Sequence, residues 1–154
     1  MDKTQTGIAG EFYVLAQLVQ RGFVATLTMG NTKGIDILVS NSDLNKLFRV
    51  EVKTTDRKPH KESLFGSDAF YSWTMSVKHE QTIDSKLFYC FVALRGTSTL
   101  PRFFLYRVYM LHHMFVNNIY IGLGRAKIQL IQLPCEDSES KNLTPLVLKI
   151  ILMF

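Results

Sequence analysis

The run Leu87–Leu94 (LFYCFVAL) contains no charged residue and is bounded by Lys86 on one side and Arg95 on the other. A half-exposed strand would show a polar residue at every second position. An unbroken apolar run of this length reads instead as a strand buried on both faces, in the interior of a sheet. Together with the helix and strands that flank it, that element suits an α/β or α+β sandwich around one sheet.

The flanking sequence supplies the other elements. The first segment reads as a helix capped by Thr4 or Thr6. Ile8, Phe12, Leu15 and Val19 form its apolar stripe, widened by Val14 and Leu18, and Gly22 is its stop. Phe23–Met29, Ile35–Val39 and Leu47–Thr55 read as strands, with turns at Gly30–Gly34 and Asn41–Asp43. Phe70–Val77 is a further strand candidate carrying the sole tryptophan, Trp73, and a short helix over Lys78–Lys86 leads into the apolar run. Phe103–Val108 is expected to pair with that run across the Gly96–Pro101 turn, followed by a helix over Tyr109–Asn117 and a strand over Lys127–Leu133. The chain has 154 residues, 47% of them hydrophobic, which suits one domain with a real core and excludes wholesale disorder. Residues 1–133 are assigned to that domain. A polar linker and the apolar segment Leu146–Phe154 make up 134–154.

Charge narrows the class of partner. The net charge is +5, and between Ser85 and Cys135 there is no acidic residue, only Lys86, Arg95, Arg102, Arg107, Arg125 and Lys127. A basic domain of this kind suggests a polyanion, most simply nucleic acid. No apolar run approaches the ~18 residues of a membrane helix, so no membrane partner is expected. The N-terminal residues show no basic-then-apolar signal. Two cysteines, Cys90 and Cys135, form neither a disulfide framework nor a zinc set, and a cytoplasmic location is expected.

Three carboxylates and one amine fall where a purely structural pattern does not want them. Glu11 lies within the apolar stripe of the first helix, Asp36 interrupts Ile35–Val39, and Glu51 and Lys53 sit inside Val50–Thr55. Strand alternation puts Glu51, Lys53 and Thr55 on one face and Val50, Val52 and Thr54 on the other. Buried carboxylates are costly unless paired or metal-bound. Two of them on adjacent strands make an oxygen-ligand set of the kind Mg²⁺ uses, completed by waters and substrate phosphate. The plain alternative is that Asp36 or Glu51 simply pairs with Lys53 and that Glu11 sits at the rim of its stripe.

In Gly7-Ile8-Ala9-Gly10-Glu11, in Asn31–Val39 (NTKGIDILV) and in Phe48–Thr55 (FRVEVKTT), the chain resembles the PD-(D/E)xK nucleases of the restriction-endonuclease-like fold. Among them it looks closest to small stand-alone prokaryotic endonucleases and to relatives of Holliday-junction resolvases. That family orders a helix with Glu, a hairpin with Asp, and a strand with Glu-x-Lys, often followed two positions on by a polar residue. Glu11, Asp36, Glu51, Lys53 and Thr55 stand in those places, with Ile35-Asp36 where the family has Pro-Asp. The likeness spans roughly residues 4–107. It implies a restriction-endonuclease-like core, a central mixed β-sheet flanked by helices, and a metal-dependent endonuclease hydrolysing phosphodiester bonds in DNA. By the resemblance, Asp36, Glu51 and the main-chain carbonyl of Val52 would hold Mg²⁺ or Mn²⁺. Lys53 would orient the attacking hydroxide or stabilise charge on the phosphorus, and Glu11 would anchor a water or second ion. A homodimer is implied as well, since two strands must be cut.

Lys33, Thr55, Arg57, Lys58 and Lys61 are the expected contacts to nucleic acid, the last three from the polar loop just beyond Lys53, for which a plain solvated loop is the alternative. Gly122-Leu123-Gly124-Arg125 reads as a plain turn, His112 and His113 as structural or surface residues, and Trp73 as core. No nucleophile elbow, Cys/His couple or Walker-type loop competes for the chemistry. Two alternatives to an endonuclease are a catalytically inactive nucleic-acid-binding module with the same fold and a nuclease subunit that requires a partner.

Overall fold

A computed structural model of the chain describes residues 1–29, 34–41, 43–61, 69, 71–73 and 84–108. Helix α1 spans Lys3–Gln20 and is followed by β1 (Val24–Leu27), β2 (Ile37–Ser40), β3 (Leu47–Thr55), β4 (Leu87–Ala93) and β5 (Arg102–Arg107). The strands form one sheet in the order β1-β2-β3-β4-β5. β3 and β4 are parallel, and the other neighbours are antiparallel. The sheet is therefore mixed, and the α/β architecture is the expected one.

β4 is buried at all seven positions, as an interior strand covered on both faces must be. Phe88, Cys90 and Val92 join Val14, Ile37, Val39, Val50, Val52 and Leu94 in the core under α1. Leu87, Tyr89, Phe91 and Ala93 point the other way, into a core with Tyr71, Trp73 and Val108. The Trp73 indole N–H donates to the Val92 carbonyl at 3.2 Å, so the tryptophan is core, as expected. Cys90 is a free thiol, and burial pushes its pKa up to about 12, so it stays protonated.

The helix departs from its sequence reading in two ways. Its cap is Asp2, whose carboxylate accepts the Gln5 amide while the Gln5 side chain accepts the Asp2 amide. This reciprocal box displaces Thr4 and Thr6 from the role. Thr6 is buried instead and donates to the Asp2 carbonyl at 2.9 Å. The buried face is Thr6, Gly10 and Val14, with Leu15 and Leu18 packed partly against the core. Ile8, Phe12 and Val19, expected in the core, are exposed. The sheet side selects small residues that allow close approach rather than the most apolar ones.

β3 has the expected bounds, and β5 pairs with β4 as expected. β2 begins at Ile37, one residue past Asp36, so Asp36 stands at the mouth of the strand and does not interrupt it. Tyr71–Trp73 are not in a strand, and Ser85 and Lys86 form a turn. The rest of the expected strand and helix over 70–86, and everything from Tyr109 onward, lies outside the described residues. That includes His112, His113, Gly122–Arg125, Cys135 and the segment 134–154. No helix among the described residues is long and apolar enough to cross a membrane.

Candidate functional site

The charged residues gather where β2 begins beside β3. The Asp36 amide donates to the Val50 carbonyl at 2.9 Å, and its carbonyl accepts from the Thr28 amide at 2.9 Å, so its main chain is pinned on both sides. Its carboxylate Oδ2 accepts the Val52 amide at 2.6 Å. A side chain thus takes the ladder position that β2 would otherwise fill. Since a strand residue's N–H and C=O point to the same edge, the Val52 carbonyl faces this same end of β2.

Glu51 follows Val50 on the opposite face of β3 from α1, as alternation requires. It is only 5% exposed, unusual for a carboxylate, and three neighbours explain how it is held. Lys53, two residues on and on the same face, forms an ion pair with Oε1. Tyr89, its partner across the parallel ladder, places its hydroxyl in hydrogen bond with the carboxylate. Gly34 lies on the Oε2 side, where a Cβ would stand 3.3 Å from that oxygen. The Gly34 backbone is also left-handed, at φ +72°. Glycine meets both demands, conformational and steric.

Glu11 arrives from the helix. At Gly10 the helix backbone approaches β3 so closely that a Cβ would fall 1.8 Å from Thr54 Oγ1. This contact presses α1 onto the sheet and brings the next residue, Glu11, half-buried, within electrostatic range of Asp36 and Lys53. Burial is the main reason the Glu11 pKa lies above the ordinary carboxylate value, and the Asp36 charge adds to it while Lys53 opposes it. The Asp36 pKa is raised too, first by burial. The Val52 hydrogen bond and Lys53 pull it down, and the Glu51 charge pushes it up. Lys53 is thus paired with Glu51, Asp36 is tied to the neighbouring Val52, and Glu11 stands within electrostatic range of Asp36 and Lys53.

Among the described residues no group of three or more His, Cys, Asp or Glu side chains is arranged to hold a metal ion. A hard cation here would take its oxygens from Asp36, Glu51, main chain and water, the mixture Mg²⁺ accepts. Thr55 is buried, and its hydroxyl accepts the Arg57 amide at 3.3 Å. It fixes where the chain leaves the sheet, while Arg57, Lys58 and Lys61 beyond it are exposed. Lys33 lies outside the described residues. Sequence reasoning missed Tyr89 and Gly34 as contributors to the site. A phenol inside an apolar strand was the available signal for the first, and the Gly-Ile-Asp turn for the second.

No protein-family model matches the chain, and no curated protein matches it. Among solved structures it is similar to a bacterial homing endonuclease, I-Ssp6803I, with a TM-score of 0.55 and 14% sequence identity. The likeness covers 99% of this chain and 92% of that one. At this identity it establishes a shared fold.

Proposed function

We propose that this protein is a metal-dependent endonuclease that hydrolyses phosphodiester bonds in DNA, with Asp36, Glu51 and Lys53 at its centre. The observation that carries the reading is a charge imbalance at the start of β2. Lys53 pairs with Glu51 and also pulls down the pKa values of Glu11 and Asp36, yet both of those stay raised. An anionic, oxygen-lined cluster in a chain of net charge +5 is suited to a divalent cation. The fold shared with a bacterial homing endonuclease supports the same reading.

In this proposal the Asp36 and Glu51 carboxylates and the Val52 carbonyl hold Mg²⁺ or Mn²⁺. When bound, the ion lowers the pKa of a water and neutralises charge at the phosphate. The side chain of Lys53 is more exposed than that of its ion-pair partner Glu51, and in this proposal its ammonium turns from that carboxylate to the phosphate. Glu11 orients a water at the rim. Arg57, Lys58 and Lys61 grip the DNA backbone just past the end of β3.

The test is incubation of the purified protein with supercoiled, linear and branched DNA in Mg²⁺, Mn²⁺ or EDTA. Cleavage with metal, absent in EDTA and in Glu51→Gln, is the expected result. Metal-independent binding without cleavage of any form would favour the binding module, for which the Lys53–Glu51 pair is simply structural.

A further inference from the structure

Tyr89 is 1% exposed in a strand whose other residues carry no hydroxyl. Phenylalanine would fill the same volume without a buried polar group to satisfy. The ring is fixed: it stacks on Phe91 with centroids 6.1 Å apart, in the core formed with Tyr71, Trp73 and Leu87. Its hydroxyl meets Glu51, the residue directly opposite in the β3–β4 register. The two other neighbours of that carboxylate hold it differently. Lys53 is a flexible ammonium reaching back from the same strand, and Gly34 offers only backbone. A phenol anchored in the core is the rigid one of the three.

We propose that Tyr89 is a positioning residue, holding the Glu51 carboxylate in the orientation in which it presents an oxygen to a divalent cation at the start of β2. This rests on the proposed reading of the site as a cation site. A phenol is a hydrogen-bond donor throughout the neutral range. Lys53 is thereby freed from orienting Glu51 and can turn to the phosphate without the carboxylate losing its place. Hydrogen bonds to a metal-binding carboxylate of this kind typically govern affinity by about 10- to 100-fold.

The experiment is calorimetric titration of the full chain with Mn²⁺, without DNA, for wild type, Tyr89→Phe and Glu51→Gln. Tyr89→Phe should weaken Mn²⁺ binding by about 10- to 100-fold. A Tyr89→Phe protein that melts lower yet binds Mn²⁺ as wild type does would make the tyrosine merely structural and overturn the inference. Wild-type Mn²⁺ binding that Glu51→Gln leaves untouched would instead overturn the reading of the site, and this inference with it. If Tyr89→Phe does not fold, wild-type protein labelled with ¹³Cζ-tyrosine decides the matter. The Tyr89 resonance should shift as Mg²⁺ saturates the protein, and a resonance unmoved at saturation overturns the proposal.

Discussion

The Asp36 carboxylate accepts the Val52 amide at 2.6 Å, closing with a side chain the ladder that β2 leaves open. The bond ties a carboxylate to β3 one residue from Glu51, and the two negative charges then act on each other. A residue that only ended a strand would gain nothing from that neighbour.

Asp36→Asn keeps an oxygen for the Val52 amide and removes the charge. DNA cleavage should fall by more than ~100-fold, because a ligand should matter more than the hydrogen-bonding groups around it. The melting temperature of the metal-free variant should equal or exceed that of wild type, since repulsion from Glu51 and Glu11 is relieved. A lower melting temperature with unchanged cleavage would make Asp36 a structural residue. Differential scanning fluorimetry beside a plasmid-nicking assay reads both.

The pH dependence follows from the raised pKa values of Glu11 and Asp36. Each binds its proton more tightly in the fold than in the unfolded chain. Below the ordinary carboxylate range both states are protonated and the favourable contribution is complete. It is lost as pH rises through the unfolded value toward the folded one. In metal-free buffer, Glu11→Gln should therefore gain on wild type in melting temperature from acid to neutral pH. The gain should level off above the folded pKa.

Gly10→Ala puts a methyl group 1.8 Å from Thr54 Oγ1 and 2.8 Å from its Cβ and Cγ2. Overpacking of this kind costs about 1–3 kcal/mol. Adding Thr54→Ala should recover part of the loss, a coupling that chemical denaturation of the double-mutant cycle measures. Fully additive effects would mean that α1 had shifted elsewhere.

Gly34→Ala should cost about 1 kcal/mol or more through its left-handed backbone. It should also disturb activity beyond that loss, because the new Cβ stands 3.3 Å from Glu51 Oε2. Mn²⁺ affinity measured well below the melting temperature separates the two effects.

Arg57, Lys58 and Lys61 are exposed and lie past the end of β3. Changing each to Gln should weaken DNA binding similarly for all sequences, with the salt slope falling by about 0.9 for each phosphate no longer neutralised. Filter binding over a range of salt, in EDTA, isolates this from metal effects. An unchanged slope in the triple variant would place the phosphate-binding cations elsewhere.

What was legible in the sequence is what depends on local periodicity. An unbroken apolar run announced β4, and alternation in Leu47–Thr55 set Glu51 and Lys53 on one face and Val50 and Val52 on the other. Both follow from the two-residue repeat of a strand, which each segment carries within itself. The face of α1 was not legible in this way. Hydrophobicity ranks Ile8 and Phe12 above Thr6 and Gly10, yet the sheet receives the small residues, because Thr54 leaves no room for a side chain at position 10. Nor did any local pattern join Tyr89 to Glu51 or Asp36 to the Val52 amide. The first pair depends on the parallel register of β3 and β4, the second on β2 stopping one residue short of Asp36. Local geometry determines which side chains share a face; only the assembled sheet decides which of them meet across it, since strand register is chosen by packing between segments distant in the chain.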